Sequence, residues 1–285
     1  MKQAFLMALF MLLISCEVAF ADLEEDAIRI NMNELNKRHG NINKDAVADV
    51  VDNKKIVATI SSMVFSKCVD DAGVVAHNKP VVQSDLTITH LRSGVYVDIW
   101  HSMSLTQGGI SNNYGNEIDY SIGWSGDFAG IGIDAGVTYI DVIDLFTMPV
   151  GDVIQPYVEL SRKFEVNDRN MITPFIKTEY GTPAKGNARE LKGLHIHSGL
   201  KHNWNVKKRL TVTQQFVLTF DDGAFGANRA WIGAYDLSPS YRFLEKKLYN
   251  LSLDLSARVI GPIADSKNDT RKLQLIGGVG LSVNF

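Results

Sequence analysis

The chain has 285 residues, of which 45% are apolar and 21% charged, with 23 Gly, 7 Pro and a formal net charge of −3. This composition describes one large folded domain or two small ones, and it excludes disorder, collagen and low-complexity sequence. The near-balanced charge argues against nucleic acid as a partner, because nucleic-acid-binding proteins carry a basic excess or stripe. A mean hydropathy of −0.03 does not exclude a membrane protein, since strands of a lipid-facing barrel alternate apolar with polar residues.

The N-terminus carries the pattern of an export signal. An apolar run from Ala4 to Ile14 follows Lys2, and the segment ends in Ala19-Phe20-Ala21, a small-x-small pattern that signal peptidases recognise. The run is shorter than the roughly 18 to 20 residues with which a helix crosses a bilayer. We therefore predict a signal peptide over residues 1–21.

Two alternatives stay open for this segment. The first alternative is a retained membrane anchor. The second is a lipoprotein leader, because Leu13-Ile14-Ser15-Cys16 resembles a lipoprotein box and its removal would leave Cys16 as a lipidated first residue. Cleavage after Ala21 instead removes Cys16 and leaves Cys68 as the single cysteine. The mature chain would then have no intramolecular disulfide and no metal or redox site built from cysteine.

The rest of the chain divides into two parts. Residues 22–54 are charged, compatible with helix and free of strand alternation, and we interpret them as a short periplasmic N-terminal segment. Residues 55–285 contain twelve runs in which apolar residues alternate with polar ones, which predicts an all-β domain. The runs extend over Ile56 to Val64, Val82 to Ile88, Val95 to Leu105, Ile118 to Trp124, Ile131 to Tyr139, Ile154 to Leu160, Ile172 to Tyr180, Leu194 to Trp204, Leu210 to Phe220, Trp231 to Tyr241, Tyr249 to Val259 and Leu273 to Phe285.

A soluble sandwich with its apolar face inward shows the same alternation, so alternation alone leaves two folds open. Run length favours a membrane barrel, because many runs reach ten residues, above the ~5 to 6 of soluble strands and near the ~9 to 11 that cross a bilayer. Aromatic residues near the run ends fit interfacial girdles. We predict a single antiparallel transmembrane β-barrel of about 12 strands.

The carboxyl terminus supports this prediction. Leu281, Val283 and the terminal Phe285 alternate on one face of the last run. This pattern resembles the signal that the barrel assembly machinery recognises in bacterial outer-membrane proteins. Together with the export signal it predicts the outer membrane of a Gram-negative bacterium, with outer-membrane lipid and the assembly machinery as partners.

Two segments carry a family resemblance. The first ends in Ser93-Gly94-x-Tyr96-x-x-x-Trp100, and the second contains Glu117-x-Asp119 followed by Gly126-Asp127-Phe128. Over about residues 55–165 these motifs resemble the TorF-type porin family of proteobacterial outer-membrane proteins. The chain departs from the family at Phe65-Ser66-Lys67-Cys68, where a Phe-Arg-Gly-like turn is expected. The resemblance implies a barrel fold and an outer-membrane location, and it names no substrate.

The face opposite the apolar one is charged and is predicted to line the lumen. Acids and bases are mixed there, so they either screen solutes through a transverse field or only hydrate and tie the interior. His195 and His197 share one strand face and could hold a metal ion with Glu179, but we interpret them as polar lumen residues and assign no metal or cofactor. The candidate lumen and selectivity residues are Asp98, Glu117, Asp119, Asp134, Glu159, Lys177, Glu179, His195, His197 and Arg258.

Connection lengths predict the orientation. The runs Lys207-Lys208-Arg209 and Glu245-Lys246-Lys247 fall in short periplasmic turns, whereas the connections after odd-numbered runs, such as 68–79, are longer and extracellular. We predict a passive channel for small polar solutes and no enzyme activity. The alternatives are a non-conducting structural or surface barrel and an outer-membrane lipid hydrolase, the latter from the faint resemblance of His90 to Ser93 and of His197-Ser198 to such enzymes.

Overall fold

The computed structural model describes residues 56–106, 116–142, 152–184, 192–224, 228–246, 248–263 and 271–285. The signal peptide, Cys16 and the periplasmic segment lie outside the described residues, and they stay predictions. No helix in the described ranges could cross a membrane. These ranges contain fifteen strands: β1 Ile56–Phe65, β2 Cys68–Val69, β3 Val75–His77, β4 Val81–His90, β5 Val95–Ser104, β6 Glu117–Phe128, β7 Ile131–Val142, β8 Val153–Ser161, β9 Phe164–Asn167, β10 Asn170–Pro183, β11 Gly193–Lys207, β12 Leu210–Asp221, β13 Ala230–Glu245, β14 Asn250–Pro262 and β15 Gln274–Asn284.

Twelve of these strands form one closed antiparallel barrel. β1 pairs with both β4 and β15, so the first and last barrel strands meet, and β10 pairs with β8 and β11. The short β9 pairs with the start of β10, and β2 and β3 form a separate two-stranded hairpin. Closure removes the free sheet edges on which other chains could add. The predicted all-β barrel of about 12 strands is confirmed, and each predicted run corresponds to one barrel strand.

The barrel wall has an apolar outer face and a polar inner face, as the alternation of the sequence predicts. Apolar residues point outward, as for Ile122 on β6 and Leu275 on β15, whose exposed fractions are 61% and 68%. A soluble sandwich would bury these side chains, whereas a membrane barrel presents them to lipid. The face assignment therefore excludes the sandwich alternative.

The connections differ between the two ends of the barrel. At one end the strands are joined by short turns at 91–94, 129–130 and 208–209. At the other end the connections are longer, for example 66–80 between β1 and β4. Short turns are periplasmic in outer-membrane barrels and long loops are extracellular. This agrees with the predicted orientation.

Local backbone geometry explains two of the periplasmic turns. Ala129 and Gly130 both have positive φ, 53° and 79°, as a two-residue type I′ turn requires. Gly94 has a φ of 73°, and a Cβ there would lie 2.1 Å from the carbonyl oxygen of Ser125. Only glycine fits that position. Both turns belong to the segments with the family resemblance.

Candidate functional site: the barrel lumen

The ten predicted lumen residues all lie on the inward face of the barrel. Two of them have hydrogen-bond partners on nearby strands. Asp98 accepts a hydrogen bond of 2.6 Å from Thr87, and Asp134 accepts one of 2.6 Å from the Tyr96 hydroxyl. Tyr96 also contacts the hydroxyl of Tyr157. Their placement follows from strand alternation, and their roles in selectivity stay predictions.

A feature that sequence reasoning did not identify occupies the extracellular half of the lumen. The connection at residues 66–80, which contains β2 and β3, folds inward, and we call it the plug hairpin. The carboxylate of Asp71 at its tip accepts a hydrogen bond of 2.7 Å from Nη2 of Arg258 on β14. The carbonyl of Ala72 accepts another, of 3.1 Å, from Arg271. The tip therefore lies inside the barrel and is bonded to β14 and to the residue segment that leads into β15.

The tip of the plug hairpin is a tight turn. One carboxylate oxygen of Asp70 accepts hydrogen bonds from the backbone N–H groups of Ala72, at 3.0 Å, and Val74, at 2.7 Å. Gly73 adopts a φ of 77°, and it lies close to Ile232 of β13. This Asx-type turn orients Asp71 toward Arg258.

The base of the plug hairpin is attached to β4 and β5. The Cys68 sulfur accepts contacts from Gln83 Nε2 at 3.5 Å and from Ser102 Oγ at 4.0 Å. At the other strand of the hairpin, His77 Nε2 lies 2.8 Å from Ser104 Oγ. Burial raises the pKa of the Cys68 thiol to about 11, so the thiol stays protonated at neutral pH. Both strands of the hairpin are therefore held to one wall.

An apolar cluster attaches the plug hairpin to strands β12–β15. Val69 of the hairpin and Phe65 of β1 pack against inward-facing residues of β12–β15, whose exposed fractions are 8% or less. Full burial of one such aliphatic side chain contributes roughly 1.5–3 kcal/mol. The sequence signal for this inward fold is the presence of apolar residues, such as Val69 and Val75, in a connection predicted to be extracellular. The cluster consists of Val217, Ala230, Ile232, Ala234, Ile260 and Ile276.

The described residues leave a polar space in the periplasmic half of the lumen. A cavity of about 860 Å³ extends from the 91–94 turn to Lys201 and is lined by Asp134, Glu159 and Asn203 among others. A second cavity of about 510 Å³ lies beside β1, β14 and β15. Lys201 and Gln215 line both cavities. Together they form a water-accessible vestibule beneath the plug hairpin.

The bases of the lumen are paired with nearby acids. Lys177 Nζ lies 2.5 Å from Glu179 Oε2, and Arg258 Nε lies 3.3 Å from Asp236. Arg271 Nη1 lies 2.7 Å from Asp221. Glu117 and Asp119 lie on β6 beside the hairpin. Acids and bases are thus mixed in the lumen, and the bases named here are each matched by an acid.

One cluster brings together three residues that the sequence had grouped. Glu179 on β10 faces His195 and His197 on β11, because the register pairs Glu179 with His195. Glu179 Oε1 lies 3.3 Å from His195 Nδ1 and 3.1 Å from His197 Nε2. All three side chains are buried, at 8% exposure or less.

The His90 and Ser93 pair, which motivated the hydrolase alternative, lies at the periplasmic turn. His90 Nδ1 lies 2.8 Å from Ser93 Oγ. The same hydroxyl accepts the N–H of Val95 at 3.3 Å, and Ser93 N–H points at the imidazole. These contacts stabilise the turn, so the short distance between His90 and Ser93 is explained by turn formation without a catalytic role.

The fold is shared with known outer-membrane channels. No protein-family model matches the chain, and no curated protein matches it. Among solved structures, the KdgM porin is 10% identical, with 80% of this chain and 99% of that chain covered and a TM-score of 0.50. The NanC porin is 9% identical, with 80% of this chain and 98% of that chain covered and a TM-score of 0.50. At such low identity the likeness shows the fold alone, that of a porin-type barrel.

The apolar exterior and the shared fold assign the chain to the outer membrane of a Gram-negative bacterium. A closed barrel pairs the backbone hydrogen-bonding groups of every strand, as a bilayer requires, and the alternation places apolar side chains against the lipid. The likeness to the two porins leaves membership in the TorF-type family a prediction.

Proposed function

We propose that this protein is a passive channel for small polar solutes, narrowed in its extracellular half by the plug hairpin. The observation that carries the proposal is the polar vestibule, whose two cavities share Lys201 and Gln215. A wall of hydroxyl, amide and charged groups lets hydrated solutes pass without losing all their water. We further propose that the chain belongs to the TorF-type porins, on the strength of the motifs at Ser93-Gly94 and Glu117-x-Asp119.

The test is electrical. The mature chain, refolded and inserted into planar bilayers, is expected to give discrete conductance steps and a measurable reversal potential in a salt gradient. An inserted, folded barrel that gives no steps in any salt would contradict the channel function.

The plug hairpin offers a sharper version of this test. In Ser102→Cys a second thiol faces Cys68, since Ser102 Oγ already lies 4.0 Å from the Cys68 sulfur. A disulfide there would hold the hairpin against β5. We expect oxidised protein to conduct at one fixed low level and reductant to restore the wild-type steps. Ser104→Cys is the matched control, because Ser104 contacts His77 and not Cys68.

A second candidate function is a non-conducting structural barrel, and the docking of the plug hairpin favours it. The ion pair of Asp71 with Arg258 and the buried apolar cluster both stabilise a filled extracellular half. If this candidate is right, the reduced and oxidised Ser102→Cys proteins will be equally silent. Removing the hairpin tip would then create conductance where wild type has none.

We propose transport rather than catalysis for the whole barrel, with the barrel assembly machinery as its partner during insertion. Phe285 follows β15, and its N–H donates to the carbonyl of Ala58 at 3.0 Å. Deleting Phe285 should lower outer-membrane levels while export continues. Normal surface levels of this variant would contradict the assembly signal. The proposed absence of catalysis would be contradicted if the purified protein hydrolysed phospholipid and the Ser93→Ala variant did not.

A further inference from the structure

We propose that Glu179, His195 and His197 form a zinc-class metal site inside the lumen, beneath the plug hairpin. These residues combine two imidazoles with one carboxylate, a ligand set that Zn²⁺ accepts. Their ligand atoms all lie within 4.8 Å of one another, and all three residues are buried. The site does not depend on whether the barrel conducts.

The distances fit a tetrahedral ion. Ligand atoms about 2.0–2.1 Å from a tetrahedral Zn²⁺ lie about 3.3 Å from one another. Glu179 Oε1 lies 3.3 Å from His195 Nδ1 and 3.1 Å from His197 Nε2. The two rings, with centroids 5.8 Å apart and planes at 75°, leave space between their ligand nitrogens. A small approach of the imidazoles would complete the site, and the fourth position would take water.

The outer nitrogens of both rings are also held. His195 Nε2 lies 3.3 Å from Asp221 Oδ1, and His197 Nδ1 lies 2.9 Å from Thr219 Oγ1. A metal-bound histidine usually gives its other N–H to a carboxylate or another oxygen, which fixes the ring and its tautomer. His197 therefore has the outer hydrogen-bond partner that metal ligands have, and His195 has a carboxylate within ion-pair distance of its outer nitrogen.

The rigid wall around the cluster supports the same inference. β10 and β11 pair continuously through Glu179↔His195 and Lys177↔His197, and β12 supplies Thr219 and Asp221 from the next strand. Ligands on paired strands are held more precisely than ligands on loops. Lys177 binds Glu179 through Oε2, at 2.5 Å, which leaves Oε1 directed at the two rings.

The surrounding charge accommodates a dication. Asp70 at the tip of the plug hairpin interacts electrostatically with His195, and Asp71 interacts with His197. The nearby cations Lys177, Arg271 and Arg258 are each matched by one carboxylate, of Glu179, Asp221 and Asp71 respectively. A bound ion would therefore link β10 and β11 directly beneath the hairpin tip.

The competing explanation is a metal-free ion-pair network in which the imidazoles carry protons and Glu179 neutralises them. The two explanations differ in stoichiometry and spectrum. Untagged mature protein, refolded, stripped with a chelator and titrated with Co²⁺, is expected to bind one ion per barrel with the intense visible absorption of tetrahedral cobalt. Zn²⁺ should displace it, and bound Zn²⁺ should raise the unfolding temperature.

Variants locate the ion. His195→Gln, His197→Gln and Glu179→Gln should abolish the tetrahedral spectrum. His202→Gln is the matched control, because His202 lies on β11 but faces outward, where it contacts Asn170. Thr219→Val removes only the outer partner of His197 and should weaken Zn²⁺ binding by roughly 10-fold or more. Gel mobility and circular dichroism check that each variant has folded.

Three outcomes would overturn the proposal: no stoichiometric binding to folded wild type, an octahedral cobalt spectrum, or binding that the ligand variants leave unchanged. If the ligand variants do not fold, the wild-type spectrum and the Thr219→Val affinity still decide. Affinity equal to wild type in folded Thr219→Val would then contradict the site.

Discussion

The two halves of one lumen differ although the same strands build both. The periplasmic half is an open vestibule lined by polar side chains, including Ser240 and Ser252. The extracellular half is crossed by the plug hairpin, with the apolar cluster on β12–β15 and ion pairs around Arg258. Alternation sets which residues point inward, but it does not determine whether that space is filled.

Connection length explains the difference. The periplasmic turns of the described ranges, such as 129–130, are too short to reach the barrel axis, so these turns do not fill the vestibule. The connection at 66–80 is long enough to form its own hairpin and to reach the inward-facing Arg258 of β14. The inward apolar residues of β12–β15 would be costly to expose to water. The two halves therefore differ because the connection at 66–80 folds into the extracellular half, whereas the short periplasmic turns do not enter the periplasmic half.

The largest expected effect tests the wall that both halves share. Leu255 lies near the middle of β14 and faces outward, so Leu255→Arg should destabilise the barrel in bilayers by roughly 2–4 kcal/mol. Ser256→Arg is the matched control, because Ser256 faces the vestibule. Equilibrium unfolding in lipid vesicles measures both. Equal effects at the two positions would contradict the assignment of faces in both halves.

The next effect tests the filled half. Replacing Asp70–Val74 with a short Gly-Ser link removes the contacts of Asp71 with Arg258 and of Ala72 with Arg271. Conductance should rise several-fold over wild type. Cys68 should also react faster with maleimide, because its buried thiol would gain access to water. Unchanged conductance in a folded variant would show that another segment sets the narrowest section.

A smaller effect concerns the pH dependence of the plug hairpin. Burial raises the pKa of Asp70 from 3.8 to about 6, so docking should strengthen as pH falls from about 6 to about 4. The guanidinium of Arg258 lowers the pKa of Asp71 to about 2, so that pair weakens only below about pH 4. Single-channel recordings should therefore show longer closures at pH 4.5 than at pH 7.5. In Asp70→Asn this difference should shrink.

The sequence predicted the wall better than its contents. Periodicity and turn spacing defined all twelve strands and the inward face, because these depend on local pattern. The plug hairpin depends on contacts such as Asp71 with Arg258, which are far apart in sequence and which no local pattern encodes. Glu179 and His195 were predicted to share a wall, but their direct pairing depends on the register across the 184–192 connection.

The smallest expected effect tests whether the filled half selects ions. Glu117 and Asp119 lie on β6 beside the plug hairpin, and their side chains contact each other. Lys177 and Arg258, on other strands of the lumen, are matched by acids of their own, so the acidic residues of β6 should favour cations. Glu117→Gln combined with Asp119→Asn should shift the reversal potential toward anions.

The size of this shift should depend on salt, because the Debye length falls from about 10 Å at 0.1 M to about 3 Å at 1 M. Asp254→Asn is the control from the open half, where Asp254 lines the wide vestibule and its field should act more weakly on a passing ion. A reversal potential that the double variant leaves unchanged would mean that Glu117 and Asp119 do not face the ion path. A shift as large in Asp254→Asn would assign selectivity to the vestibule, and the functional distinction between the two halves would fail.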